Sequence, residues 1–301
     1  MYLPGYFCGQ SLRYLRSIEV NLIFYPLSSD LTPDFQKIKK AIRSDAVDIF
    51  LLVHYFGAIS AQDRSRAFCD DYNALLVEDC AHVLSPKIVS HWVGDYLLFS
   101  PHKHFPLSSV GLSFRRAHRP IRDRWTSGSF PFFWILRALL RPLFQKKKAP
   151  AVYRVEFNQQ RQQIPENVVS PNLVAATSCC LTNSESVADS RRRNYRMVQE
   201  ILARVPGWTL FNRVSGQHCP YILGFICDDR DLAKKRFEIL NSEVQIAMIW
   251  PDLPTEIMQL PEILDFCLER TERTLFFFIH QGIEIAKFLA VIERSTLQEG
   301  F

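Results

Sequence analysis

ALLVEDCAH at residues 74–82 and GDYLLFSPHK at residues 94–103 are two apolar runs, the first ending in an acid pair and a histidine, the second in a lysine. Each has the length and composition of a buried strand that turns polar at its carboxyl end. Outward toward the amino terminus lie VDIFLLVHYFG (47–57), a strand ending in glycine, and the helical AQDRSRAFCDDYN (61–73). Before these come SLRYLRSIE (11–19) with helical spacing, NLIFYPL (21–27) as a strand, and TPDFQKIKKAI (32–42), an amphipathic helix opened by a capping Thr32 and Pro33. Strands alternating with helices of this length predict a parallel sheet covered on both faces. Ligands of such sheets gather at the carboxyl ends of the strands. His54, Asp79 and Lys103 all stand at or just past such ends, so the three should project from one edge.

Beyond residue 115 the alternation fades, and 115–187 reads as connecting helices and loops. From Asp189 a second unit follows: the helix RRRNYRMVQEILARV, strands around WTLF and PYILGFI, the helix DLAKKRFEIL, the strand-like VQIAMIW, and a final helix near GIEIAKFLAVIE. The expected division is a large domain at 1–130, a connecting segment at 131–187 and a small domain at 188–301. No internal repeat is present.

The 301 residues carry a net charge of +5 and a pI near 8.8, a mild balance without a dense basic stripe. The runs RRR at 191–193 and KKK at 146–148 read as solvated faces, and no nucleic-acid partner is expected. The eight cysteines form no C-x-x-C pair and read as buried thiols of a reducing compartment. MYLPGYFCGQS has neither the basic head nor the apolar stretch of a signal peptide, so a soluble cytoplasmic protein is expected. The greasiest stretch, Phe130 to Leu140, is too short to span a bilayer; with its cationic tail it fits an interdomain or dimer-facing helix better than one lying on a membrane.

A carboxylate and a lysine amine at one sheet edge suit pyridoxal 5'-phosphate (PLP) chemistry. The lysine amine, partly desolvated beside a cationic ring, loses its proton readily enough to form a Schiff base, and a buried carboxylate keeps the ring nitrogen protonated. Lys103 and Asp79 are the candidates, with the Ser100 hydroxyl three residues before the lysine placed to bind the phosphate. Each has an ordinary alternative: a strand-end acid is often a loop anchor, a serine before proline a turn residue, a single lysine a surface charge. Their co-occurrence on an α/β pattern favours the chemical reading. Ser100 to Lys103 is formally an S-x-x-K, but the S-D-N-like and K-T-G-like strings of an acyl-enzyme are missing. His82, His102 and His104 lack neighbouring carboxylates in a metal-binding pattern, so no metal is expected.

The chain resembles the DegT/DnrJ/EryC1/StrS family of PLP-dependent sugar aminotransferases. LPGYFCGQSL, LLVHYFG, VEDCAH and GDYLLFSPHK are similar to segments of its large domain, and HCPYILGFI, WPDLP and FFFIHQ to its small domain. The resemblance implies an α/β protein of PLP fold type I, aspartate aminotransferase-like, whose large domain lacks its first elements, with a smaller C-terminal α/β domain. It implies Lys103 as the Schiff-base residue and proton shuttle, Asp79 on the pyridine nitrogen, Ala81 against the ring face, His82 by the phenolic oxygen and Ser100 on the phosphate. It further implies a homodimer that moves an amino group from an amino acid, glutamate in this reading, to a keto sugar on a nucleotide. The chain departs from the family's pattern at several points. The Gly-Ser/Thr phosphate turn has no counterpart, and Cys8 stands for the ring-covering aromatic, with Phe7 or Tyr6 as substitutes. PLSSVG keeps only Gly111 of the turn after the lysine, and Ile279 replaces a proline. A non-catalytic scaffold of the same fold is therefore the alternative, and Tyr221, Trp250 and His280 are either substrate-facing or core residues.

Overall fold

The computed structural model describes residues 1–42, 47–86, 92–107, 111–116, 171–211, 214–216, 218–241, 246–247 and 253–298. The strands of its first sheet are β1 (Tyr2–Pro4), β2 (Ile23–Tyr25), β3 (Ile49–Val53), β4 (Leu75–Cys80), β5 (Tyr96–Phe99) and β6 (Leu112–Arg115). Their order is β2-β1-β3-β4-β5-β6, parallel throughout except for β6, which returns antiparallel along β5. The helices α1 (Arg13–Ser17), α2 (Phe35–Ala41) and α3 (Gln62–Asp71) connect the strands. Ile49–Val53 is apolar along its whole length because a parallel strand is buried on both faces, and Phe50, Leu51, Leu52 and Val53 are all buried. Helix α2 sets Phe35 and Ile38 into this core, and α3 sets Phe68 and Cys69. The Phe50 ring lies 4.8 Å from Tyr25 and 5.0 Å from Phe68. The cap of α2 is Asp34, whose carboxylate accepts the Lys37 N–H, and not the expected Thr32.

Helices α4 (Pro171–Thr182) and α5 (Ser184–Leu202) lead to a second sheet of β7 (Trp208–Leu210), β8 (Ile222–Cys227), β9 (Ile246–Ala247) and β10 (Thr274–Phe278). Helix α6 (Arg230–Asn241) precedes β9, α7 (Pro261–Arg273) precedes β10, and α8 (Ile285–Gln298) follows it. The order is β7-β8-β10-β9, all antiparallel. Periodicity missed β1, β6, α7 and β10, of which only β1 lies in a segment that the family resemblance marks as a strand. β1 and β6 are too short for periodicity, and α7 runs into β10 through the polar Glu269–Arg273 stretch with no glycine or proline to mark the change.

The two sheets share a core. Phe56, which follows β3, lies 5.0 Å from Phe276 of β10 and 5.9 Å from Phe211 after β7. Ile222, Leu253, Ile257, Ile263 and Cys267 join the same buried cluster as the β3 side chains. Tyr6 is fully buried there, against Tyr55 and Phe211, so it is core rather than a cover for a ligand ring. Phe130 to Leu140, the lysine run at 146–148 and Trp250 lie outside the described residues.

Candidate active site

Side chains alternate across a strand, and in β4 this sends the adjacent acids Glu78 and Asp79 to opposite faces. Glu78 goes inward, where both it and His54 are fully buried with Oε2 and Nε2 2.8 Å apart. The Ser60 N–H points at His54 Nδ1 from 3.4 Å, which leaves Nε2 to carry the proton and donate it to the carboxylate. Gln62 Nε2 and the backbone N–H groups of Val93 and Gly94 complete the Glu78 shell at 2.6–3.0 Å. Burial pushes this carboxyl up, but the hydrogen bonds from His54, Gln62 and Gly94 outweigh it and hold it below 4.5. His54 therefore does not project from the edge with Asp79 and Lys103, as expected from the sequence, and serves this buried network instead.

Asp79 faces the other way, partly buried, paired in register with Val53 on one side and Leu98 on the other. Its Oδ1 accepts the Ala81 N–H at 2.9 Å, and Oδ2 has no hydrogen bond among the described residues. Desolvation raises its carboxyl above 3.8, against the Ala81 N–H and then the charge of Lys103. Lys103 closes the short 3-10 turn Pro101–Lys103 after β5, its N–H donating to the Ser100 carbonyl at 3.0 Å. The Ser100 hydroxyl makes no cap bond in that turn. Lys103 is solvent-exposed, yet its charge acts on Asp79, His82 and His104 alike, so these four groups share one edge.

Past Asp79, Ala81 is half-buried and His82 is buried. The His82 ring is stacked between Phe56, at 5.6 Å, and Tyr221, at 4.6 Å, within 11° of parallel to both. Burial first, then the charge of Lys103, drives its pKa well below 6.5, so the ring is neutral and can receive the Phe56 N–H at Nδ1. The second sheet thus reaches the edge of the first through Tyr221, whose backbone N–H also donates to the Phe56 carbonyl at 2.9 Å.

Arg191 was not legible as a site residue within the RRR run, and for this arginine the solvated-face reading fails: it is 2% exposed. Helical spacing held the signal, because Arg191, Asn194, Tyr195, Val198 and Leu202 form the buried stripe of α5. Among the described residues no cluster of three or more His, Cys, Asp or Glu is arranged to hold a metal ion, and no helix is long and apolar enough to cross a membrane.

Residues 26–105, which include Asp79, Ala81, His82, Ser100 and Lys103, match the model of the DegT/DnrJ/EryC1/StrS aminotransferase family. This segment is similar to that family. Solved structures extend the likeness of fold beyond the matched segment. The aminotransferase TlmJ from Streptoalloteichus hindustanus is 14% identical with a TM-score of 0.68, over 98% of this chain and 78% of its own. GDP-4-keto-6-deoxy-D-mannose-3-dehydratase of E coli, solved with bound hydrated PLP, is 16% identical with a TM-score of 0.65, over 97% and 79%. A DegT DnrJ EryC1 StrS aminotransferase from Brucella abortus is 15% identical with a TM-score of 0.63, over 98% and 79%. The fold is that of PLP fold type I aminotransferases, and the chain spans about four fifths of each neighbour's length. No curated protein matches the chain in sequence.

Proposed function

We propose that this protein binds PLP at the carboxyl edge of its first sheet and uses it to move an amino group from an amino acid, glutamate in our reading, to a keto sugar carried on a nucleotide. The observation that carries the proposal is the convergence of Asp79, His82 and Lys103 on one edge, with an Asp79 oxygen that has no hydrogen bond among the described residues. A carboxylate desolvated in this way fits a cationic ring nitrogen better than it fits water. The family match over these residues and the PLP-bound E coli dehydratase, whose substrate name is a nucleotide-linked keto sugar, support the same reading.

When bound, PLP supplies an electron sink that makes the proton on the amine-bearing carbon acidic. The residues of this chain do the rest. Asp79 holds positive charge at the ring nitrogen, with Oδ1 fixed by the Ala81 N–H. Lys103, at the end of the Pro101–Lys103 turn, would hold the cofactor through Nζ and carry at that atom the proton that amino transfer moves. The small Ala81 side chain leaves room for a flat ring. His82, with both faces covered, meets a ligand only through its edge, where it can bond the phenolic oxygen. The Ser100 hydroxyl is the phosphate donor at this edge. We also propose a homodimer.

Purified protein mixed with PLP should turn yellow and transfer nitrogen from glutamate to a nucleotide keto sugar. Lys103→Ala should remove the colour, and Asp79→Asn should keep it while abolishing transfer. A wild-type protein that stays colourless would end the proposal and leave the non-catalytic scaffold in its place.

A further inference from the structure

His104 follows Lys103 and has no part in the chemistry above. It is 3% exposed, and neither ring nitrogen has a hydrogen-bond partner among the described residues. A neutral imidazole carries one N–H and one lone pair, and leaving both unmade in a dry place is unfavourable unless a ligand or ion completes them. Arg191 arrives from α5 on the same spot. Its Nε donates to Gln281 Oε1 at 3.0 Å and its Nη1 to the Tyr221 carbonyl at 3.1 Å, both neutral acceptors. Gln281 Nε2 in turn donates to the His104 carbonyl at 2.9 Å, and the Tyr221 ring stands edge-on to His104 at 5.2 Å.

A guanidinium has five N–H groups, and a buried charge is normally answered by an acid. The neighbouring Arg192 has two, Glu185 and Asp189, and Arg66 has Asp70 and Asp95. No carboxylate pairs with Arg191 among the described residues. Arg236, equally buried, is stabilised differently: it lies 4.9 Å over the Trp208 ring and donates to the Pro206 and Gly207 carbonyls. Arg191 has no ring beneath it among the described residues. Its charge acts on both His104 and His280, lowering their pKa values.

We infer that Arg191 and His104, framed by Gln281 and Tyr221, form a receptor for a substrate oxyanion, either a carboxylate or a phosphate. The fork of Arg191 suits two oxygens of one anion, and His104 supplies one further N–H. Tyr221 stacks on His82 as well, which places the receptor beside the Lys103 edge. Only the identity of the natural anion rests on the proposed function: a carboxylate would belong to the amino donor, a phosphate to the nucleotide-linked sugar.

The test is calorimetric titration of the full chain, free of cofactor, with glutarate and separately with inorganic phosphate. Glutarate has no amine and cannot react. One of the two should bind the wild type, and which one names the source. Arg191→Gln should weaken that binding by about tenfold or more and His104→Phe by several-fold, whereas Arg192→Gln should leave it within about twofold. If Arg191→Gln does not fold, Arg191→Lys, which keeps the charge and loses the fork, is held to the same criterion. Neither anion binding the wild type, or full affinity in a folded Arg191 variant, overturns the inference and makes the site a seat for buried water. Colour with PLP is read on the same samples. A colourless wild type that still binds the anion through Arg191 would remove the enzymatic reading and leave the receptor standing.

Discussion

Glu78 and Asp79 share a peptide bond and face opposite sides of one strand, and their environments divide them. Glu78 is enclosed by three donors and a histidine proton, a set that only an ionised carboxylate satisfies. Glu78→Gln would turn an amide N–H toward the His54 Nε2–H, donor against donor, and is expected to cost about 3 kcal/mol in denaturant unfolding at neutral pH. The sign with pH follows from a folded pKa below 4.5: the contribution is fully present above that value and is lost as pH falls through the lowered one. The gap between wild type and variant should therefore close in acid, and a gap independent of pH would show that the charge of Glu78 is not what stabilises. The sequence displayed an acid pair at a strand end without saying which acid served the core. Two-residue alternation narrows the choice to opposite faces, but only the packed His54 tells which face is inside.

At the scale of elements, the turn after β3 joins the two halves. Phe56 has φ of 57° and Gly57 of 91°, a left-handed pair that throws the chain across to the segment before β8. A β-carbon on Gly57 would run into the Cys219 carbonyl. Gly57→Ala combines that clash with a backbone angle alanine adopts poorly, and should destabilise by about 2 kcal/mol or more. Because Tyr221 lies two residues past Cys219, the same variant should also loosen the His82–Tyr221 stack, read as a shift of the His82 ring signals in NMR. Unchanged signals would mean that the two segments move independently. The glycine was visible in the sequence as a strand terminator; its contact with a residue 162 positions later was not.

Across the whole molecule, one buried cluster runs from Tyr2 of β1 to Phe276 of β10. A shared core makes the two sheets unfold together. Phe276→Ala, which empties a site touching Phe56 and Phe211, should cost about 3–5 kcal/mol and lower a single cooperative transition followed by circular dichroism. Two separated transitions would show that the sheets are independent. The amino-acid order by itself determined the parallel sheet, because apolar runs such as Ile49–Val53 and Leu75–Val77 alternate with amphipathic helices, and it determined that Asp79 and Lys103 end neighbouring strands. The tertiary structure alone decided that His54 is structural, that Arg191 is buried with no acid beside it among the described residues, and that His82 is clasped by Phe56 and Tyr221. Periodicity reports which face of an element is apolar. Which distant face closes over it depends on packing between segments more than a hundred residues apart, and no local pattern records that.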